Sequence, residues 1–127
     1  MSFYIGDYSS DFYPAMPVID VQIRRETDEE SIGLTAIVDS GADNTMIPRV
    51  FLEHLKVQKA RTAWMVSVAG QRTAVALYWV FIQFGTFQPV YTEVIGAANR
   101  DEIIVGRDVI NQYAVLLNGP AHTIEIS

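Results

Sequence analysis

The sequence contains no cysteine, which removes disulfides and thiolate metal sites from consideration and fits a reducing compartment. The stretch Met1-Ser2-Phe3-Tyr4-Ile5-Gly6-Asp7 lacks the basic residues and apolar run of a secretory signal, so the expected location is cytoplasmic. Basic residues are few: 9 Lys and Arg against 15 Asp and Glu give a formal net charge of -6. They are scattered, apart from Arg24-Arg25 beside an acidic run. That distribution argues against nucleic-acid binding, which needs clustered cations to neutralise phosphates. The longest apolar stretch, Ala74 to Ile82, falls far short of the ~20 residues of a membrane-spanning helix. There are only 2 histidines, His54 and His122. Neither has metal-type spacing or a nucleophile nearby, so each is read as a surface or capping residue. Gly85 and Gly96 lack the glycine spacing of a phosphate loop. No metal, cofactor, nucleic acid or membrane partner is expected.

The chain does have apolar bulk. Half of its 127 residues are hydrophobic, enough for one domain with a real core. Residues 1–15 are rich in Tyr, Phe, Ser and Asp without a clear period, and are read as an N-terminal extension lying on the domain surface or on a partner. From Pro17 a two-residue period begins. Ile19, Val21 and Ile23 alternate with Asp20 and Gln22, which predicts a half-buried strand. Thr27 to Ser31 is a charged turn, and Gly33 to Val38 a returning apolar strand. Pro48 to Leu55 predicts a short helix opened by proline. Trp64 to Val68 and Thr73 to Phe84 predict two strands joined at Ala69-Gly70-Gln71-Arg72, where Gly70 can supply a positive φ. Further strands are predicted at Val90–Ile95 and Ile103–Val105, then a helix over Arg107–Tyr113. Asn118-Gly119 signals a hairpin between Ala114–Leu117 and Thr123–Ile126. Trp64, Tyr78, Trp79 and Phe81 are expected in the core and at the base of the central hairpin. The balance is all-β with one or two short helices.

The informative stretch is Ala36-Ile37-Val38-Asp39-Ser40-Gly41-Ala42-Asp43. By itself an Asp-Ser-Gly triplet is a common turn signal, since Asp and Ser bond nearby backbone and Gly tolerates left-handed φ. Here it ends a continuous apolar strand, an expensive place for a charge unless the charge is used. Later, Ile103-Ile104-Val105-Gly106-Arg107-Asp108 is a short apolar strand stopped by Gly and followed by a helix.

The two motifs in this order resemble those of retropepsins and their cellular and bacterial relatives, over about Pro17 to Tyr113. The resemblance implies a small, closed, barrel-like acid-protease domain over residues 16–127, working as a C2 homodimer on peptide or protein substrates. It implies that Asp39 is the catalytic acid. Ser40 would tie the two active-site loops together across the dimer, and the Gly41 carbonyl would meet substrate backbone. Ala42 and Asp43 would line the cleft floor, with Ile37, Met46 and Ile104 walling side-chain pockets. The hairpin Val68-Ala69-Gly70-Gln71 would be a flap over bound peptide. Asp43 and Arg107 would brace the active loop within one subunit; as bare sequence, both are also ordinary surface charges.

One carboxylate per chain fits this chemistry only in pairs. Two carboxylates held close share one proton, so one serves as base and the other as acid. Asp7, Asp11, Asp20, Asp28, Asp101 and Asp108 lack a strand-to-Gly context, so a twofold axis is required. The chain departs from the family in having Ala15-Met16-Pro17 where a basic residue is common. Its C-terminus is longer and carries a hairpin, and Asp101 and Glu102 are acidic where viral relatives are apolar. The alternative to an active endopeptidase is a dimeric peptide-binding module that keeps the fold without the activity.

Overall fold

The computed structural model describes residues 2–127. In chain order the strands are β1 (Tyr4–Asp7), β2 (Val18–Arg24), β3 (Ile32–Val38), β4 (Met46–Pro48), β5 (Lys59–Val66), β6 (Arg72–Gln83), β7 (Val90–Ala97), β8 (Ile103–Val105), β9 (Val115–Asn118) and β10 (Thr123–Ile126). Two short helices, α1 (Arg49–His54) and α2 (Arg107–Ile110), follow β4 and β8.

A seven-stranded sheet runs in the order β2-β3-β8-β4-β7-β6-β5, and β2 pairs again with β6 to close it. Closure depends on the length of β6. Its C-terminal part pairs with β2 through Phe81, Ile82 and Gln83, while its N-terminal part pairs with β5 from Arg72 to Tyr78. One edge of β6 therefore serves both the barrel and a hairpin that leaves it. Period-two alternation sends Tyr78, Val80 and Ile82 into the core beside Ile19, Val21 and Ile23.

The same alternation corrects the expected core. Trp79 and Phe81 point to the outer face of β6, where both rings pack on Tyr91 of β7, at 5.1 and 4.4 Å. Trp79 is exposed there, and only Tyr78 of that group is core. Trp64 is also exposed, on β5, with the Arg72 guanidinium 4.7 Å from its ring centre. The predicted second helix stops after Ile110, short of Tyr113. Tyr113 turns inward instead, edge-on to Phe84 and Phe87.

Residues 1–15 contain a strand that their composition does not announce. β1 pairs antiparallel with β10, which also pairs with β9, in a small sheet ordered β1-β10-β9. The β9–β10 turn is longer than Asn118-Gly119 alone suggests. Its positive φ falls on His122, whose ring stacks on Tyr8, and the Asn118 side chain accepts the Ala121 amide. Ile124, on the central strand, is fully buried and joins this sheet to the barrel core. Ile124→Ala should lower unfolding free energy by ~2–5 kcal/mol in urea titration. Ile5→Ala, on the exposed face of β1, should change it by no more than ~0.5 kcal/mol.

Candidate active site

Asp39 is the first residue beyond β3. Val38 pairs in register with Val105 of parallel strand β8, and the Asp39 amide continues that ladder by donating to the Val105 carbonyl at 3.0 Å. The chain then turns: the Ala42 amide donates to the Asp39 carbonyl, and the Gly41 amide donates to Asp39 Oδ1 at 2.8 Å. The carboxylate is half-buried and, among the described residues, forms no ion pair. Ser40 and Gly41 are exposed beside it.

The loop is clamped from behind by the start of α2. The Arg107 amide donates to the Ala42 carbonyl at 2.9 Å, and Arg107 Nη1 donates to the Ser40 carbonyl at 2.7 Å. Arg107 Nη2 also donates to Asp43 Oδ1. Gly106 lies so close to the loop that a Cβ there would stand 2.8 Å from the Ala42 oxygen and 2.9 Å from the Asn44 oxygen. A side chain at that position would displace the backbone of the active loop.

Asp108 completes the clamp, a role its sequence context does not suggest. Its Oδ1 accepts from the Thr45 amide at 3.1 Å and the Thr45 hydroxyl at 2.8 Å, and its Oδ2 accepts from the Thr92 hydroxyl at 3.1 Å. Thr45 Oγ1 in turn accepts from the Gly106 amide. Thr45 is 0% exposed, so these donors have no water to turn to. The available signal was an acid in the first turn of a helix that starts at a buried glycine.

A cleft of about 520 Å³ opens beside this loop. Its floor carries Gly41, Ala42, Asp43 and Met46, and its wall is built by the β5–β6 hairpin and Ile95. Ile37, Ile104 and Met46 are register neighbours across β3, β8 and β4, so they share one face. Ile37 borders a separate groove with Phe12 and Val18, and Ile104 is buried. Val68, Ala69, Gly70 and Gln71 stand at the exposed tip of the hairpin and do not line this single-chain cleft. Gly70 there has φ +81°, and its amide donates to the Ser67 carbonyl. Arg61 and Ala63 of β5 also line the cleft, and no local motif marks them. Two hydrogen bonds from Arg61 to the Glu93 carboxylate, at 2.9 and 2.8 Å, tie β5 to β7. They raise the guanidinium further above its ordinary value, first through hydrogen bonding and then through charge.

The two braces should differ in strength. The Asp43 side chain is 81% exposed, so solvent screens its pair with Arg107. In a double-mutant cycle, Asp43→Ala and Arg107→Ala should couple by ~0.2–1 kcal/mol. Asp108→Ala strands the buried Thr45 donors and should cost ~1–3 kcal/mol for each group left unpaired, with Thr45→Val suppressing part of that loss. Thermal melts of the single and paired variants measure both.

No curated protein matches the chain in sequence. Among solved structures, a retropepsin-like aspartic protease from Rickettsia conorii superposes with a TM-score of 0.64 at 11% identity, covering 98% of this chain and 89% of that one. EIAV protease in complex with the inhibitor HBY-793 gives 0.57 at 21% identity, covering 76% and 86%. The foamy viral protease-reverse transcriptase gives 0.53 at 19% identity, covering 77% of this chain and 16% of that one. These likenesses are of fold. Residues 14–118 match the retroviral aspartyl protease family, and with that match spanning most of the sequence, the chain belongs to this family.

Proposed function

We propose that the chain is an aspartic endopeptidase whose catalytic dyad is Asp39 from each of two copies. The observation that carries this reading is the different use of the acids at the site. Asp43 is engaged by Arg107 and Asp108 by Thr45 and Thr92, whereas Asp39 takes only a backbone amide. A carboxylate without a cation or hydroxyl partner, held on a clamped loop beside a cleft, is free to meet a bound substrate.

Two such groups face to face would hold one proton between them. The ionised carboxylate removes a proton from a water molecule as its oxygen attacks the peptide carbonyl carbon. The protonated carboxyl gives its proton to the carbonyl oxygen, forming a tetrahedral diol. Proton transfer to the amide nitrogen then lets the C–N bond break, yielding a carboxylic acid and an amine. In this reading Ser40 links the two loops across the axis and the Gly41 carbonyl accepts from substrate backbone. Ala42, Asp43, Met46, Ile37 and Ile104 border substrate side chains. Val68 to Gln71 close over the peptide, a motion that in lids of this kind takes roughly μs–ms.

Asp39→Asn removes the shared proton's acceptor while keeping the shape of the side chain. Cleavage of an unbiased peptide library should fall by at least ~10²-fold. Wild-type activity retained in Asp39→Asn would sink the proposal. The rate of the wild type should peak at mildly acid pH and fall on both sides, because the dyad works only with one proton bound.

A further inference from the structure

We infer that the groove between the N-terminal loop and the start of β8 takes a lysine or arginine side chain of the substrate, selected by Asp11, Asp101 and Glu102. This rests on the proposed peptidase reading and adds to it the class of peptide that is cut.

The groove encloses about 260 Å³, less than the ~300–1,000 Å³ of sites that hold a whole small-molecule ligand. It suits a single side chain. Its depth is apolar: Phe12, Val18, Ile37 and Ile103 line it, and all are half-buried or buried. Its mouth is acidic: Asp11, Asp101 and Glu102 line it as exposed residues. Among the described residues, no lysine, arginine or histidine lines it. A lysine or arginine matches both zones, because it lays its methylenes along apolar surface and keeps its charged head in water. An acidic side chain meets like charge at the mouth, which is repulsive.

These carboxylates are not committed elsewhere. Glu102 faces Arg100 at 3.6 Å in an exposed pair, which water screens. Among the described residues, Asp11 and Asp101 form no ion pair. The three acids also do not converge: among the described residues, no group of three or more potential ligands could hold a metal ion. A hard cation needs several oxygens at ~2.0–2.6 Å, whereas carboxylates spread around a mouth suit a diffuse organic cation.

Both walls are fixed in place. Ser9 and Met16 exchange two amide bonds, at 2.8 and 3.1 Å, and close the loop that carries Asp11 and Phe12. The Asp11 amide donates to Ser9 Oγ at 3.2 Å. The Tyr8 amide donates to the His122 carbonyl at 2.8 Å, which ties the loop to the β9–β10 turn. Across the groove, Ile103 pairs with Ala36 of β3. Ile37 joins the groove to the chemistry. It stands two residues before Asp39 on β3, and the period of two turns both side chains to one face. A peptide that passes Asp39 can lower one side chain between Ile37 and the N-terminal loop.

Two measurements on the full chain test this. In the first, kcat/KM is compared for peptides that differ only in having Lys, Arg, Leu or Glu beside the cut. The wild type should favour Lys and Arg over Glu by at least ~10-fold. Asp101→Asn combined with Glu102→Gln keeps the side-chain shapes, and should lower kcat/KM for the Lys and Arg peptides ~5-fold or more relative to the Leu peptide. Asp11→Asn should move the ratio the same way, and added salt should erode it. Asp101→Lys combined with Glu102→Lys should turn the preference toward Glu. In the second, labelled copies of the same peptides are bound to Asp39→Asn and followed by fluorescence anisotropy, where Kd should rank them in the same order. Cleavage without a preference for a cation, or with one that these substitutions leave intact, overturns the inference and leaves the peptidase reading in place. A wild type that cuts nothing, with cation-selective binding that Asp101→Asn and Glu102→Gln abolish, upholds the groove and removes the peptidase. Neither cleavage nor cation-selective binding overturns both.

Discussion

The loop that carries Asp39 is held by the backbone of residues 105–107, and the rest of the site is arranged around that contact. The backbones of Val105, Gly106 and Arg107 each take one hydrogen bond from, or give one to, the segment between Asp39 and Thr45. Gly106 makes the contact possible by having no side chain to hold the two backbones apart. Its φ of -97° is open to any residue, so the requirement is for space and not for conformational freedom. With the backbones this close, Asp108 can reach Thr45 and Arg107 can reach Ser40 and Asp43. The proposed dyad would depend on such rigidity, because a carboxylate that swings by an ångström no longer shares its proton.

The barrel and the cleft both come from the division of one edge of β6. Where β6 meets β2 the sheet closes and encloses Val80 and Ile82. Where it meets β5 the hairpin is left outside the barrel, with its tip in solvent. The hairpin is anchored at its base by Arg61 on Glu93 and left free at Gly70, where nothing stands within 4 Å of a Cβ position. Firm base and open tip are the mechanical requirements of a lid.

Charge near the site is distributed by function. Asp108 gives up its acceptor capacity to buried donors, a structural use in which burial makes each bond costly to lose. Asp43 is satisfied by a solvent-exposed guanidinium, a weaker tie that leaves the cleft floor polar. Only Asp39 keeps its carboxylate uncommitted to a cation or hydroxyl. Three acids within one loop and the adjoining helix thus do three different things, and the environment rather than the residue type separates them.

Sequence alone determined what short-range physics controls. The two-residue period of β2 and β6, the helix opened by Pro48, the hairpin turn at Gly70 and the strand that ends at Asp39 are local patterns, legible because they repeat or because a special residue marks them. The association of the Asp39 motif with Gly106-Arg107 was legible only through the resemblance to a known family, because no local pattern links residues so far apart. Tertiary structure decided the rest. β1 has no period of its own and becomes a strand only because β10 offers an unpaired edge 116 or more residues away along the chain, as Tyr4 on Ile126 and Asp7 on Thr123 illustrate. Trp79 and Phe81 face outward because closure of β6 on β2 assigns one face of the strand to the core, which composition cannot specify. Asp108 differs from a surface acid only through Thr45 and Thr92, 63 and 16 residues distant. Each of these depends on a contact made across the chain, and a hydrogen bond of that kind leaves no trace in the residues beside it.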